Sequence, residues 1–321
     1  MRQIAVIGGG IAGLTAAYRL SELKKGEISL FEAGSRPGGT IETEARDGFL
    51  LEKGPDSFLS EKPSAVQLSK ELGLETKLIG TRNENRKSFI VRRGRLIAVP
   101  EGFYLISPTQ FGPFLSSPLF SALGKIRMGL EVLVPRAGSG GDESIGSFIR
   151  RRFGKEALER AGQPMLAGIY TGDPENLSLL ATMPRFKELE NEYGSVIRGL
   201  LAGVSRRKQP ALAQASGARY SLFLSYREGM ETLTKALAGK IGGQSLKLES
   251  PLKELIQVSK TDPRWRLNFA DGRSGMFDAV CLALPARAAA EVIKNTAPAL
   301  SEKLNSIAYE SVATVHLAFN R

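Results

Sequence analysis

The sequence has almost none of the side chains that form metal clusters or nucleophilic triads. Its 321 residues include one cysteine, Cys281, and one histidine, His316. A single cysteine cannot form a disulfide within the chain, and one cysteine with one histidine are too few ligands for a His/Cys metal cluster. A Ser-His-Asp triad is excluded unless His316 serves it. We expect Cys281 to be a buried strand thiol and His316 to lie on a strand or at the surface.

Long apolar runs are also absent. No stretch approaches the roughly 18 apolar residues of a membrane-spanning helix. The first residues are typical of a short strand followed by glycines, and not of a basic segment with a long apolar stretch behind it. We therefore expect no signal peptide and a cytoplasmic protein.

Positive charge is abundant, with a formal net charge of +11. This balance favours anionic partners such as nucleic acid, an anionic membrane surface or a small polycarboxylate. The basic runs at residues 150–152 and 206–208 are short and have no interleaved aromatic side chains, which argues against nucleic acid. Peripheral membrane contact stays open, and the sequence does not indicate an oligomeric state.

A β-α-β unit opens the chain. Residues 4–7 (IAVI) form a continuous apolar run, which is typical of a parallel strand buried on both faces. Residues 14–23 have helical spacing, and residues 28–31 are typical of a second strand. This order predicts an α/β, Rossmann-like nucleotide-binding domain.

The middle of the chain differs from both ends, because prolines recur there between helical pieces. From residue 220 the strand-rich pattern returns. The simplest interpretation is a discontinuous cofactor-binding domain made of residues 1–61 and 220–300. Residues 62–219 would be an inserted α+β region, largely helical, that binds substrate, and residues 301–321 would begin a further sheet.

Glycines follow the first strand in the pattern G-x-G-x-x-G. The first glycine permits a tight turn, the second lets the backbone approach a pyrophosphate, and the third lets helix and strand pack closely. Glu32 comes nineteen positions after Gly13 and is placed to meet ribose hydroxyls. NAD and FAD both bind this unit. The candidate cofactor residues here are Gly8, Gly9, Gly10, Ile11, Ala12, Gly13 and Glu32.

Residues 32–40 (EAGSRPGGT) favour FAD over NAD, because they resemble the second fingerprint of the FAD-dependent amine oxidase superfamily. Arg36 can place charge near the pyrophosphate, and the following glycine pair lets backbone pass beside a flavin. Superfamily members often carry a basic residue where Thr40 stands, so one contact is missing or replaced here. The candidate FAD residues of this stretch are Ala33, Arg36, Gly38, Gly39 and Thr40.

Three more stretches resemble protoporphyrinogen and coproporphyrinogen III oxidases. They are residues 52–58 (EKGPDSF), 166–173 (LAGIYTGD) and 278–289 (DAVCLALPARAA). The likeness covers essentially the whole chain and is greatest to the soluble bacterial type. Members of that family run well past residue 321, so we expect a C-terminally incomplete chain. Residues 311–321 (SVATVHLAFNR) would be the first strand of the remaining sheet.

The resemblance implies a six-electron oxidation of a porphyrinogen to its porphyrin in heme biosynthesis. The flavin N5 would accept hydride, and dioxygen would reoxidise the flavin and leave as hydrogen peroxide. No catalytic side chain is assigned. The implied substrate contacts are Lys62, for a propionate, and Gly168, Ile169 and Tyr170. The implied further FAD contacts are Gly54, Pro55, Asp56, Ser57 and the Leu252 backbone.

Two other classes of function stay open. One is another amine-oxidase-like flavoprotein, such as a carotenoid desaturase or a monoamine oxidase, against which GPDSF and GIYTGD argue. The other is a non-catalytic protein that keeps the nucleotide fold, which porphyrin formation would exclude. The sequence does not distinguish coproporphyrinogen III from protoporphyrinogen IX.

Overall fold

The structure is a computed structural model that describes residues 1–60, 62–82, 88–104, 106–138, 141–207, 223–259 and 264–319. The basic run expected at residues 206–208 therefore lies partly outside the described residues. Two compact units are present. The first comprises Met1–Thr81 and Arg219–Arg321, and the second is Arg82–Ala218.

The regular elements are numbered in chain order. The strands are β1 (Gln3–Ile7), β2 (Glu27–Phe31), β3 (Thr43–Arg46), β4 (Phe49–Glu52), β5 (Phe58–Leu59), β6 (Leu78–Gly80), β7 (Phe89–Arg92), β8 (Arg95–Ala98), β9 (Phe103–Tyr104), β10 (Ser107–Pro108), β11 (Phe223–Tyr226), β12 (Leu246–Lys247), β13 (Leu252–Gln257), β14 (Trp265–Phe269), β15 (Ser274–Phe277) and β16 (Ala279–Leu282). The α-helices are α1 (Ile11–Glu22), α2 (Pro63–Glu71), α3 (Phe111–Ser116), α4 (Ala122–Gly129), α5 (Ile145–Phe153), α6 (Lys155–Ala157), α7 (Gln163–Tyr170), α8 (Leu179–Thr182), α9 (Pro184–Tyr193), α10 (Val196–Arg207), α11 (Glu231–Ile241), α12 (Ala286–Ile293) and α13 (Pro298–Asn305).

A parallel sheet in the order β12-β2-β1-β16 forms the centre of the first unit. The central strand β1 pairs on both sides, so that Val6 lies between Leu30 and Cys281. Alternate β1 side chains point to opposite faces, and both faces are covered, which explains the uninterrupted apolar run. This architecture confirms the predicted α/β, Rossmann-like fold. Cys281 is half-buried on its strand.

Two hydrophobic clusters cover the faces of this sheet. Helices α1 and α11 pack on one face, where Leu14 and Leu237 are fully buried. The antiparallel sheet β13-β14-β15 and helix α12 cover the other face. There the rings of Phe31 and Phe269 lie 4.7 Å apart between centroids. Each large apolar side chain buried in this way contributes about 1.5–3 kcal/mol, so the sheet is held from both sides.

The first unit extends further along the chain than the sequence suggested. The first break follows Thr81 rather than residue 61, because helix α2 and strand β6 pack with elements of the first unit. Strand β6 pairs with β11, and the Ser69 hydroxyl lies 2.6 Å from the Tyr226 hydroxyl in the same core. The expected second boundary, at residues 219–220, lies outside the described residues.

The second unit is mainly helical and contains buried charges. Its core includes the fully buried side chains Phe148 and Phe153 of α5. Arg152, also fully buried, pairs with the buried carboxylate of Glu131. Glu131 in turn accepts the Ser195 hydroxyl at 2.5 Å, at the N-terminus of α10. The buried charges are therefore paired and hydrogen-bonded, as low-dielectric surroundings require.

The expectation that residues 301–321 begin a further sheet stays a prediction. Helix α13 ends at Asn305, and residues 308–319 form no regular structure. His316 Nε2 lies 3.1 Å from the Glu52 carbonyl oxygen. Among the helices in the described part of the chain, none has the length and apolar character to cross a membrane.

Candidate functional site

The turn between β1 and α1 can be built only with glycines at its key positions. Gly8 has φ +104°, and a Cβ there would lie 2.5 Å from the Ala283 carbonyl oxygen. A Cβ on Gly13 would overlap the Gly8 carbonyl oxygen. At Gly10, by contrast, a Cβ would meet no atom within 4 Å. The turn is thus closely packed towards the sheet and open at Gly10, where a ligand can approach the backbone.

The N-terminus of α1 is ready for an anion. Gly10 is its N-cap in extended conformation, without a side-chain hydrogen bond, and its first turn carries no acidic residue. The N–H groups at Ile11, Ala12 and Gly13 belong to the first turn, which has no intrahelical acceptors, and they lie at the positive end of the helix dipole. Such an end fits a diphosphate.

Glu32 lies beside this turn at the end of β2. Its carboxylate accepts the N–H of Gly9 at 2.6 Å and the N–H of Gly34 at 2.7 Å. Each carboxylate oxygen can accept a second hydrogen bond, so ribose hydroxyls remain compatible with this geometry. The Glu32 carbonyl oxygen also accepts the Ser250 N–H at 2.8 Å, which brings the strand that begins at Leu252 close to the ribose position.

The second glycine loop lies directly against the first. Gly10 and Gly38 form a parallel β-bridge, and the Gly38 N–H donates to the Gly9 carbonyl oxygen at 2.8 Å. Gly38 has φ +116°, which disfavours any side chain. A Cβ on Gly39 would lie 3.1 Å from the Gly10 Cα. The two loops that the sequence assigned to one cofactor therefore share one surface, and exposed Ala33 and Thr40 border it.

Arg36 donates mainly to its own loop. It reaches the carbonyl oxygens of Gly39 at 2.8 Å and Ile41 at 3.0 Å, and the Glu42 carboxylate at 2.7 Å. The structure therefore shows Arg36 holding the loop together. The predicted contact with the pyrophosphate stays a prediction.

The GPDS segment packs against the second glycine loop. A Cβ on Gly54 would overlap the Thr40 carbonyl oxygen, so only glycine fits. The Lys53 N–H donates to the Glu42 carbonyl oxygen at 2.9 Å, and the Lys53 ammonium lies 2.8 Å from the Glu42 carboxylate. The hydrogen bond from Lys53, together with the charge of Arg36, lowers the pKa of Glu42.

The next two positions of this segment are more accessible. Pro55 and Asp56 are exposed, and the Ser57 hydroxyl donates to the Asp56 carboxylate at 2.8 Å. The first glycine turn thus contacts the second glycine loop, and this loop contacts the GPDS segment. The arrangement offers glycine backbone and N–H groups to a diphosphate, and space beside the backbone to a flat ring.

The sequence did not indicate how Glu52 and Thr43 contribute. Glu52 accepts the Met230 N–H at 2.7 Å and the Thr43 hydroxyl at 2.8 Å, while the Thr43 oxygen accepts the Glu231 N–H at 3.1 Å. The β3–β4 hairpin thereby caps helix α11. One signal was available in the sequence. Met230, which precedes α11, has no side chain that can cap a helix, so an acceptor must come from elsewhere in the chain.

The candidate substrate residues lie in two separate units. Lys62 is exposed at the N-terminus of α2 in the first unit. Gly168 and Ile169 are exposed on α7 of the second unit, where Ile169 is 55% exposed. The Tyr170 hydroxyl donates to the Thr182 carbonyl oxygen at 3.1 Å, and burial raises its pKa. A shared substrate role for these residues stays a prediction.

The sequence matches the family described as flavin containing amine oxidoreductase over residues 11–321. The chain belongs to this family. The membership confirms an FAD-dependent oxidoreductase, as predicted from the sequence. The assignment of the flavin to the glycine segments around α1 stays a prediction. The residues present fit the cofactor, because the α1 end is uncapped and open at Gly10.

Curated relatives are porphyrinogen oxidases by name. The coproporphyrinogen III oxidase of Bacillus subtilis (strain 168) is 35% identical over 325 residues, which cover 99% of this chain and 67% of the relative. That of Staphylococcus aureus (strain NCTC 8325 / PS 47) is 33% identical over 88% of this chain and 60% of its own length. Human protoporphyrinogen oxidase is 30% identical over 99% of this chain and 67% of its own length. The chain thus spans about two thirds of these relatives.

Solved structures agree on the fold. A crystal structure from Exiguobacterium sp. 255-15, described as a candidate protoporphyrinogen oxidase, has TM-score 0.77 and 30% identity over 94% of this chain and 63% of its own. Putrescine oxidase bound to putrescine has TM-score 0.61 and 17% identity over 91% of this chain and 60% of its own, which shows the fold alone.

Proposed function

We propose that the chain acts as an oxygen-dependent FAD enzyme of heme biosynthesis that oxidises a porphyrinogen to its porphyrin. The substrate is coproporphyrinogen III or protoporphyrinogen IX. Its six electrons and six protons reduce three molecules of dioxygen to three molecules of hydrogen peroxide. The observation that carries this proposal is the position of the EKGPDSF segment, because Gly54 lies against Thr40 of the second glycine loop. The names of relatives at 30–35% identity support the same substrate class.

The chain's own residues have binding and orienting roles in this proposal. The first turn of α1 holds the diphosphate, and Glu32, fixed by two backbone N–H groups, meets the ribose. The bound FAD supplies the oxidising capacity. Lys62 offers a cation to a propionate of the substrate. The protein works in the cytoplasm, and no side chain is assigned as an acid or base.

Peripheral contact with an anionic membrane surface is favoured by one specific observation. Helix α4 and the turn after it present Leu123, Ile126, Leu130 and Leu133 at helical spacing, each at least 47% exposed. The half-buried Lys125 lies among them, and its ammonium donates to the Leu115 carbonyl oxygen at 2.5 Å. An apolar stripe with cationic neighbours is typical of helices that lie in a membrane interface. Co-sedimentation with anionic vesicles, compared with Ile126→Glu, tests this contact.

The function is tested by supplying reduced coproporphyrinogen III and protoporphyrinogen IX separately to the FAD-loaded chain in air. We expect porphyrin fluorescence to appear together with three equivalents of hydrogen peroxide. The porphyrinogen that is oxidised faster identifies the preferred substrate. The control is the same chain without FAD. FAD-loaded protein that forms neither porphyrin would overturn the proposal. Oxidation of simple amines instead would favour the amine oxidase alternative.

A further inference from the structure

Three charged side chains link the second glycine loop to the GPDS segment. Arg36 contacts the Glu42 carboxylate at 2.7 Å, and the other oxygen of Glu42 accepts the Lys53 ammonium at 2.8 Å. We call Arg36, Glu42 and Lys53 the loop brace. Lys53 has a second carboxylate partner, Glu44, at 2.9 Å.

The hydrogen bonds of Arg36 show what the brace holds. One guanidinium nitrogen donates to Pro37 at 3.2 Å and Ile41 at 3.0 Å, and the other donates to Gly39 at 2.8 Å and to Glu42. A guanidinium has five N–H donors in a fixed fork, so contacts to three carbonyl oxygens define the path of one short loop.

This geometry differs from that of a phosphate ligand. An arginine that binds a phosphate directs its fork at the ligand, and a competing carboxylate would weaken that contact. Here the fork is directed at the loop, and Glu42 adds to its anchoring. The ion pairs are partly exposed and individually weak, so the carbonyl contacts account for most of the effect.

We propose that Arg36 is a positioning residue that holds the Gly38-Gly39 turn in the conformation that receives FAD, and that Glu42 keeps Arg36 in this position. The brace acts before the cofactor arrives, which reduces the ordering cost of binding. The inference rests on the flavin cofactor and does not depend on the proposed porphyrinogen substrate.

The test compares Arg36→Met and Glu42→Gln in the FAD-free chain and during FAD titration. Amide hydrogen exchange of residues 38–41 reports the loop without cofactor, and flavin fluorescence reports affinity. We expect faster exchange in both variants. FAD binding should weaken roughly tenfold in Arg36→Met and a few-fold in Glu42→Gln, because charge-assisted hydrogen bonds are lost.

Glu44→Gln is the matched control, because it removes the same charge beside Lys53 without touching Arg36. It should leave both measurements close to wild type. The two roles of Arg36 predict opposite signs for Glu42→Gln. Tighter FAD binding in that variant, or unchanged exchange in both variants, would overturn the proposal and identify Arg36 as a phosphate ligand. Loss of porphyrinogen turnover with normal loop exchange would count against the proposed substrate and not against the role of Arg36 as part of the loop brace.

Discussion

Gly10 and Gly38 lie backbone to backbone in a parallel β-bridge, so the first glycine turn and the second glycine loop form one continuous surface. A side chain on Gly38 would strain the loop, because its φ is +116°. We expect a side chain on Gly10 to enter the space that the cofactor needs. We therefore expect FAD binding to depend on loop geometry as much as on the end of α1.

Gly38→Ala tests this dependence. The residue has φ +116°, and its Cβ would lie 2.8 Å from the Ile41 carbonyl oxygen. We expect strain of about 1–3 kcal/mol and FAD binding weaker by roughly tenfold or more. Gly48→Ala is the matched control, because Gly48 also has positive φ, +80°, but its Cβ would meet nothing within 4 Å. The control should lose stability and keep its FAD affinity; equal losses of affinity in both would contradict the account.

The cap on helix α11 gives a second prediction. Glu52→Ala removes the acceptor of the Met230 N–H and of the Thr43 hydroxyl. The free energy of unfolding should fall by about 1–2 kcal/mol, because buried donors lose their partner. Urea unfolding followed by the fluorescence of Trp265, the single tryptophan and part of the same unit, measures this. Glu44→Ala, on the same hairpin, should change little, and an equal effect there would argue against a specific cap.

Glu190 in the second unit predicts a dependence on pH. Burial opposes its ionisation, but hydrogen bonds from Arg151 and Lys187 outweigh burial and lower its pKa from 4.5 to about 2. Because the folded pKa is the lower one, the ionised carboxylate stabilises the fold above the unfolded pKa. That stabilisation, up to about 3 kcal/mol, is lost as pH falls from about 5 to about 2.

Urea unfolding at several pH values, followed by far-ultraviolet circular dichroism, measures this loss. Glu190→Gln should be less stable at neutral pH by about 3 kcal/mol and should show a flatter pH profile. Glu188→Gln changes an exposed carboxylate on the same helix and should keep the wild-type profile. A Glu190→Gln profile as steep as that of wild type would refute the assignment.

Lys62 provides a prediction about the substrate. If its ammonium meets a propionate, Lys62→Ala should raise KM by roughly three- to tenfold with little change in kcat, because an exposed ion pair contributes modestly. Lys62→Arg should restore most of the affinity. Lys70→Ala, an exposed lysine on the same helix, is the control. Steady-state kinetics in which both alanine variants behave alike would assign Lys62 to the solvated surface.

Local patterns predicted most of the first unit. Helix α1 and the strands β1 and β2 were predicted from their apolar spacing. The glycine positions were predictable because their spacing follows from the shape of the turn itself. These features depend on neighbours in sequence, which is why the sequence alone carries them.

The features that the sequence did not indicate have a common cause, which is dependence on distant partners. The partners of Arg36 are set by the path of its loop and by Glu42, and no spacing rule gives either. The cap formed by Glu52 joins residues far apart in the chain. The strand predicted at residues 311–321 depends in the same way on a neighbouring strand edge, which sequence alone does not supply.

The central claim is that three glycine segments around the end of α1 hold FAD. The most direct measurement is titration of the FAD-free 321-residue chain with FAD, followed by competition with ADP. The account predicts one saturable FAD per chain, displaced by ADP because the diphosphate and adenosine occupy the α1 turn, and lost in Gly38→Ala. Absence of saturable binding, or FAD binding that neither ADP nor Gly38→Ala affects, would contradict it.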